Sequence, residues 1–286
     1  MSFDLSKLQK LRFGKHISLR KTVESSIGYH EGFKCSQLFL GRTVGYKCRQ
    51  LTKEDKKKTK KKCLEKDLTF YVHCPYNLNL AKDDERIPSL LKDILIQIDE
   101  LPAAAVLHVG KHLKLKRQIA IEEIADKLNQ LKLEGIIKQT SFENAKYNLL
   151  LENAAGQGTE IGSTWNDLRK LQEACDKECC GFCFDTCHGF AAGMTDFENS
   201  ESVVRMFDEA ESIYTHGVSL FHLNDSTKEY KSRVDRHASI GHGFIWNKKN
   251  ESLQTLVAIA SDKQIDLVSE TGDAFNDYCY IASLCS

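Results

Sequence analysis

The chain alternates between short apolar runs that end on a polar residue and longer amphipathic stretches. Eight runs carry the pattern: Leu11–Ser18, Ser36–Leu40, Leu68–His73, Ala103–His108, Tyr147–Glu152, Cys180–Asp185, Gly217–His222 and Ile265–Glu270. They are rich in Val, Ile, Leu, Phe and Tyr, as parallel strands buried on both faces are. Between them, Leu90–Asp99, Gln118–Leu131, Trp165–Cys175, Glu201–Tyr214 and Glu251–Ser261 repeat apolar residues at i, i+3 and i+4. That spacing marks one face of a helix. Eight strand–helix units in one chain predict an α/β fold, a (β/α)8 TIM barrel spanning 1–286 as a single domain. A doubly wound open sheet is the alternative. It normally has fewer strands and a phosphate-binding glycine loop, and no GxGxxG or Walker sequence occurs here.

Composition narrows this picture. The chain has 286 residues, is 41% hydrophobic and 28% charged, and contains only 3 Pro, so it can bury a sizeable core. Lys plus Arg and Asp plus Glu both number 40, for a net charge of zero. Diffuse basicity therefore gives no argument for nucleic acid. Lys greatly outnumbers Arg, which fits an AT-rich coding sequence such as that of a large DNA virus or AT-rich microbe. The run Lys53–Lys66 reads as the solvated face of an outer helix; a phosphate-contacting patch or a nuclear-targeting signal are the functional readings. Eleven cysteines, an odd and mostly scattered set, imply a reducing intracellular setting, in cytoplasm or nucleus, or in virion or host cytoplasm for a virus. No secretory leader follows Met1, and no apolar run is long enough to span a membrane.

In a barrel of this kind, function sits at the C-terminal ends of the strands. Ligand-type residues recur there: His16, His73, His108, Glu152, Asp185 with His188 just beyond, His222 and Glu270. Asp235 and His237 fall between the last two strands. His30, His112 and His216 read as hydrogen-bonded core residues. Charged groups are rarely buried unless paired or bound to metal, so the repetition points to metal. Imidazole and carboxylate donors suit Zn2+, with Mn2+ as a substitute. His73, His108, Glu152, Asp185, His188, His222, Asp235, His237 and Glu270 exceed the roughly three protein ligands of one catalytic zinc. They imply two or three ions, the apparatus of phosphoester hydrolysis. Cys175, Cys179, Cys180, Cys183 and Cys187 offer a competing site, and Cys180-x2-Cys183 has finger-like spacing. Because this stretch also reads as a strand, alternate thiols diverge, and buried reduced cysteines are expected.

Longer segments are more specific. Glu152-Asn153-Ala154-Ala155-Gly156-Gln157-Gly158, Asp185-Thr186-Cys187-His188-Gly189-Phe190-Ala191-Ala192-Gly193, His222-Leu223-Asn224-Asp225 and Ser232-Arg233-Val234-Asp235-Arg236-His237 resemble the endonuclease IV family of apurinic/apyrimidinic endonucleases. The match runs from Gly14 to Glu270. The resemblance implies three zinc ions. His73, His108 and Glu152 would hold the first. Glu152, Asp185, His222 and Glu270 would hold the second. His188, Asp235 and His237 would hold the third. Glu152 would then bridge two ions and orient the attacking hydroxide. The implied reaction is hydrolysis of the phosphodiester 5′ to an abasic site in double-stranded DNA, leaving 3′-hydroxyl and 5′-deoxyribose phosphate ends, with cleaning of blocked 3′ ends.

The resemblance also suggests DNA contacts at Tyr76, Arg42, Arg236 and Ser18, with Arg49 an alternative to Arg42. The chain departs from the family pattern at Asn77, where an apolar wedge is expected, at Val109, at His242 and at Trp246. A monomer without membrane attachment is expected. The alternative functions are a metal-dependent sugar isomerase or epimerase on a related barrel and a non-catalytic zinc DNA-binding protein.

Overall fold

The computed structural model describes residues 11–27, 32–175, 179–246 and 250–284. Eight parallel strands close into a barrel: β1 (Phe13–His16), β2 (Cys35–Leu38), β3 (Thr69–His73), β4 (Ala103–His108), β5 (Leu149–Glu152), β6 (Gly181–Asp185), β7 (Val218–His222) and β8 (Asp266–Ser269). All eight expected runs supply one strand each, with ends shifted by up to two residues; β2 begins one residue before its run. The circle closes where β1 pairs with β8, Phe13 opposite Leu267.

The expected helices are also present. Among the described residues the helices are α1 (Val23–Ile27), α2 (Lys53–Lys66), α3 (Arg86–Ile98), α4 (Arg117–Leu133), α5 (Trp165–Ala174), α6 (Thr186–Ala192), α7 (Ser200–Ile213), α8 (Asn250–Asp262) and α9 (Ala274–Leu284); α1, α6 and α9 are additional to those expected from the sequence. The lysine run is helix α2, as its bland reading predicted. The Thr52 side chain caps it by accepting from Asp55 N, and only Asp55, Thr59 and Cys63 of the helix are buried. No helix among the described residues is long and apolar enough to cross a membrane.

The strand period of two builds the site. Outward residues such as Phe70, Val72, Phe182 and Phe184 pack in the large core beneath the helices. Inward residues form a second, smaller core: Cys35, Tyr71, Ala104, Val106, Leu150, Cys183, Leu220 and Val268. Two positions further along each of those inward columns stands a polar residue: Gln37, His73, His108, Glu152, Asp185, His222 and Glu270. Each strand thus has a greasy lower half and a reactive upper end. Register keeps these ends level, with His108 opposite Glu152 and Asp185 opposite His222. On β1 the inward residue below His16 is Gly14, where a Cβ would stand 1.8 Å from the Cys35 carbonyl oxygen. Only glycine allows β1 and β2 to approach this closely.

Two short antiparallel ribbons decorate the top. Gly110–Lys111 pairs with Glu160–Ile161, and Asp225–Ser226 pairs with His237–Ala238. The second brings His237 over the barrel mouth.

Candidate metal centre

Nine side chains predicted from the sequence converge at that mouth. Glu152, fully buried, sits at the centre. Its Oε2 lies 3.4 Å from His73 Nε2 and 3.2 Å from His108 Nε2. Its Oε1 lies 3.0 Å from His222 Nδ1 and 3.3 Å from His188 Nδ1. Asp185 Oδ2 approaches His237 Nε2 at 3.6 Å and His222 Nδ1 at 3.9 Å. Asp235 bridges two imidazoles, with Oδ2 3.3 Å from His188 Nε2 and Oδ1 3.1 Å from His237 Nε2. Glu270 Oε2 is 3.4 Å from His222 Nδ1. Ligand-type atoms gather in the groups His73–His108–Glu152, Glu152–Asp185–His222 and Asp185–His188–His237.

Local structure explains how these groups are held. Asp185 ends β6 and caps helix α6, its Oδ1 accepting from His188 N at 2.7 Å, which leaves Oδ2 to face the site. Asn224 Nδ2 donates to Asp185 Oδ2 at 2.8 Å and to Glu270 Oε2 at 3.2 Å. Asn153 Oδ1 accepts from Asp185 N at 2.7 Å. His73 Nδ1 donates to Cys74 O at 2.7 Å and His188 Nδ1 to Asn153 O at 3.0 Å. A carbonyl can only accept, so both rings present Nε2 to the site.

The electrostatics are those of a place prepared for cations. Burial disfavours charge on Glu152, yet the fields of His108 and His222 hold its carboxyl well below the usual range. Burial likewise opposes Glu270, but His222 and His237 bring it down to about 2. Burial raises Asp185. The imidazoles respond in kind. Burial works against protonation of His188, His222 and His237, but neighbouring acidic groups raise all three, His237 to about 9. Protons on histidine thus balance the buried carboxylates in the metal-free chain. The donors also fit metal ions in their geometry. Glu152 Oε2 is buried without an aligned hydrogen bond although two imidazole nitrogens stand within contact distance. An imidazole pair converging on an unsatisfied carboxylate oxygen is what a shared cation resolves.

The site floors a cleft of about 470 Å³. Tyr76, Asn77, Lys82, Lys111, Leu113 and Gln157 line its walls. Tyr76 is half exposed at 52% and meets His73 edge-on, ring centres 5.2 Å apart. Of the other expected DNA contacts, Ser18, Arg42 and Arg236 are exposed at the surface. Arg49 donates to the carbonyls of Arg20 and Lys21 and so ties two top loops together. Asn77, in place of a wedge, accepts from Gly45 N at 2.8 Å and joins two loops in the same way. Trp246 is fully buried, its indole N–H donating to Asn224 O at 3.2 Å.

Two expectations change. His216 is exposed and packs on Tyr147, so it is not a core residue. His112 is half buried at the rim and bonds Leu115 O at 3.0 Å; both sit in loops outside the barrel strands, where burial is incomplete. His30 lies outside the described residues. The cysteine-cluster alternative gains no support: Cys175, Cys179, Cys180, Cys183 and Cys187 are buried thiols outside any disulfide, and among the described residues the ligand groups are built on imidazole and carboxylate, with only Cys187 near Asp235 and His237. Sequence reasoning missed the buried Gln37 and the Asn153 and Asn224 side chains that hold Asp185. A fully buried glutamine inside an apolar strand was the available signal for Gln37.

The chain was compared with known proteins. Residues 30–255 match the profile of the AP endonuclease 2 family, described as a xylose isomerase-like TIM barrel. A probable endonuclease 4 of Symbiobacterium thermophilum is 30% identical over 270 residues, covering 91% of this chain and 93% of that protein. A probable endonuclease 4 of Chloroflexus aurantiacus is 32% identical, covering 82% and 83%. A putative endonuclease 4 of Acanthamoeba polyphaga mimivirus is 29% identical, covering 93% and 87%. Among solved structures, endonuclease IV from Thermus thermophilus superposes with a TM-score of 0.76 at 24% identity, over 96% of this chain and 98% of that one. A D-tagatose 3-epimerase-like protein superposes at 0.68 and 21% identity, over 96% and 97%. These structural likenesses speak for the fold.

Proposed function

The chain belongs to the endonuclease IV family of AP endonucleases, and from that premise we propose that it is a zinc-dependent enzyme that nicks double-stranded DNA 5′ to an abasic site. Convergence of nine imidazole and carboxylate groups on one cleft carries the reading. As the family resemblance implies, His73, His108 and Glu152 would hold one ion. Glu152, Asp185, His222 and Glu270 would hold a second, and His188, Asp235 and His237 a third. When bound, the ions would stabilise charge on the phosphoryl oxygens and activate water as nucleophile.

The chain's own residues do the rest. Glu152 would link two ion positions through its two oxygens, which face different imidazoles. Asn224 and Asn153 hold Asp185 in place. Tyr76 offers an exposed ring at the rim of the cleft on which a base beside the gap can stack. A missing base lowers the energy needed to turn the damaged sugar out of the helix, and exposed Arg42 and Arg236 would take backbone phosphates. Trimming of blocked 3′ ends would use the same cleft, because the same phosphodiester chemistry applies. The chain would act inside the cell as a monomer and a single domain.

The test is a duplex carrying one tetrahydrofuran abasic analogue. Zinc-loaded protein is expected to nick that strand once, 5′ to the analogue, and to leave the undamaged duplex whole. Intact damaged strand with three ions bound per chain would defeat the proposal.

A further inference from the structure

Gln37, at the centre of β2, is fully buried among ionisable groups. Its Nε2 lies 2.7 Å from Glu270 Oε1 and 3.1 Å from His16 Nδ1. Its Oε1 lies 2.7 Å from His222 Nε2. The two ends of an amide look alike in shape, so the chemistry of the partners must decide which is which. Glu270 decides it. A carboxylate only accepts hydrogen bonds, so the amide end that faces it must be the NH2. The oxygen then faces His222, and His222 Nε2 must carry the proton that it donates. In the neutral ring that a metal ligand must be, His222 Nδ1 is left with its lone pair, and that nitrogen faces Glu152 Oε1 at 3.0 Å and Glu270 Oε2 at 3.4 Å. By the same logic His16 Nδ1 is the acceptor of the second amide hydrogen, and its proton resides on Nε2.

His222 is therefore set differently from its neighbours. Backbone carbonyls fix His73 and His188 to offer Nε2. A side chain from a strand that pairs with neither β7 nor β5 fixes His222 to offer Nδ1. From this geometry we infer that Gln37 is a positioning residue for the proposed metal centre: it makes Nδ1 of His222 the ligand atom for the ion shared with Glu152, Asp185 and Glu270, and it orients Glu270 beside it. The inference rests on the proposed function.

The experiment compares wild type with Gln37→Met, which keeps length and volume but removes both hydrogen-bonding ends, and with Gln37→Glu. Zinc is titrated against a competing chelator, and ions per chain are counted after dialysis. Gln37→Met is expected to bind one ion about 10- to 100-fold more weakly, the usual penalty for losing a partner that orients a ligand, and to keep the others. Gln37→Glu is expected to be at least as weak, because its carboxylate faces that of Glu270. Nitrogen-15 spectra of the histidine rings in zinc-loaded wild type test the same point without mutation: His222 should show a protonated Nε2 and a metal-bound Nδ1. Wild-type binding in Gln37→Met, or a metal-bound Nε2 in His222, would overturn the inference while leaving the parent function standing. A wild-type chain that binds no ion would overturn both.

Discussion

His222 Nδ1 lies 3.0 Å from Glu152 Oε1, although the two residues end strands that do not pair with each other. Two imidazoles from β3 and β4 face the other oxygen of the same carboxylate. The two oxygens of Glu152 thus face two different sets of imidazoles, as the proposed bridging role requires. Glu152→Gln preserves size and keeps a buried polar group, but a neutral amide has one acceptor oxygen and no charge for two cations. Cleavage of abasic duplex should fall by at least about 10²- to 10³-fold, the scale seen when one preorganised electrostatic group is lost. Thermal unfolding of the metal-free protein should move little. Wild-type turnover in this variant would contradict the bridging role.

Metal loading should depend on pH with a defined sign. Burial opposes a proton on His237, but Asp185 and Asp235 hold one there up to about 9. Below that pH an incoming ion has to displace the proton. Apparent zinc affinity should therefore climb by up to about tenfold per pH unit for each proton released and level off above the histidine's pKa. Chelator competition across that range measures it, and proton release in weakly buffered solution checks the stoichiometry. An affinity that is flat with pH would mean that the imidazoles are already neutral.

Tyr76 should act on binding more than on chemistry. Its ring is exposed and lines the cleft, but its contacts with His73 and His108 are edge-on. Tyr76→Ala removes a stacking surface worth about 1–3 kcal/mol per base, or roughly a 5- to 150-fold rise in Kd for abasic duplex. Because no charge is lost, the salt dependence of binding should keep its slope. A changed slope with unchanged affinity would refute the stacking role.

The floor of the barrel carries a stability switch apart from the site. Arg12 Nε donates to Asp266 Oδ1 at 2.6 Å, and Tyr71 OH donates to Oδ2 at 2.8 Å. Burial pushes Asp266 up to about 6, with Arg12 and Tyr71 limiting the rise. Its folded pKa thus exceeds the unfolded value near 4. Native protein holds this proton more tightly, so the contribution to stability is complete below about pH 4 and is lost as pH rises through 6. Asp266→Asn cannot titrate. In urea unfolding, wild type should gain on the order of 2 kcal/mol relative to that variant between neutral pH and pH 4. No change in the difference would show that Arg12 keeps Asp266 ionised throughout.

Much of this molecule can be read from its sequence for a simple reason. A parallel strand buried on both faces must be apolar along its length, and a charge tolerated at its end must have a partner. Those two constraints made the eight strands visible and made Glu152, Asp185, His222 and Glu270 conspicuous. They also kept Lys53–Lys66 on an outer helix, where its ammonium groups stay in water. Residue type and strand period together placed the candidate ligands at one end of one barrel.

What the sequence left open depends on atoms from distant strands meeting. Gln37 reads as a stray polar residue until β2 sets it between Glu270 and His222. Arg49 reads as a candidate for contact with DNA, and Asn77 as a missing wedge, until their side chains are found tying loops together. His112 and His216 read as interior until the structure leaves the first half buried and the second exposed. A hydrogen bond constrains direction as well as distance, and direction is fixed only when both partners are in place. The sequence determined which chemical groups the barrel holds and at which end; the tertiary structure decided which nitrogen, which oxygen and which proton each presents.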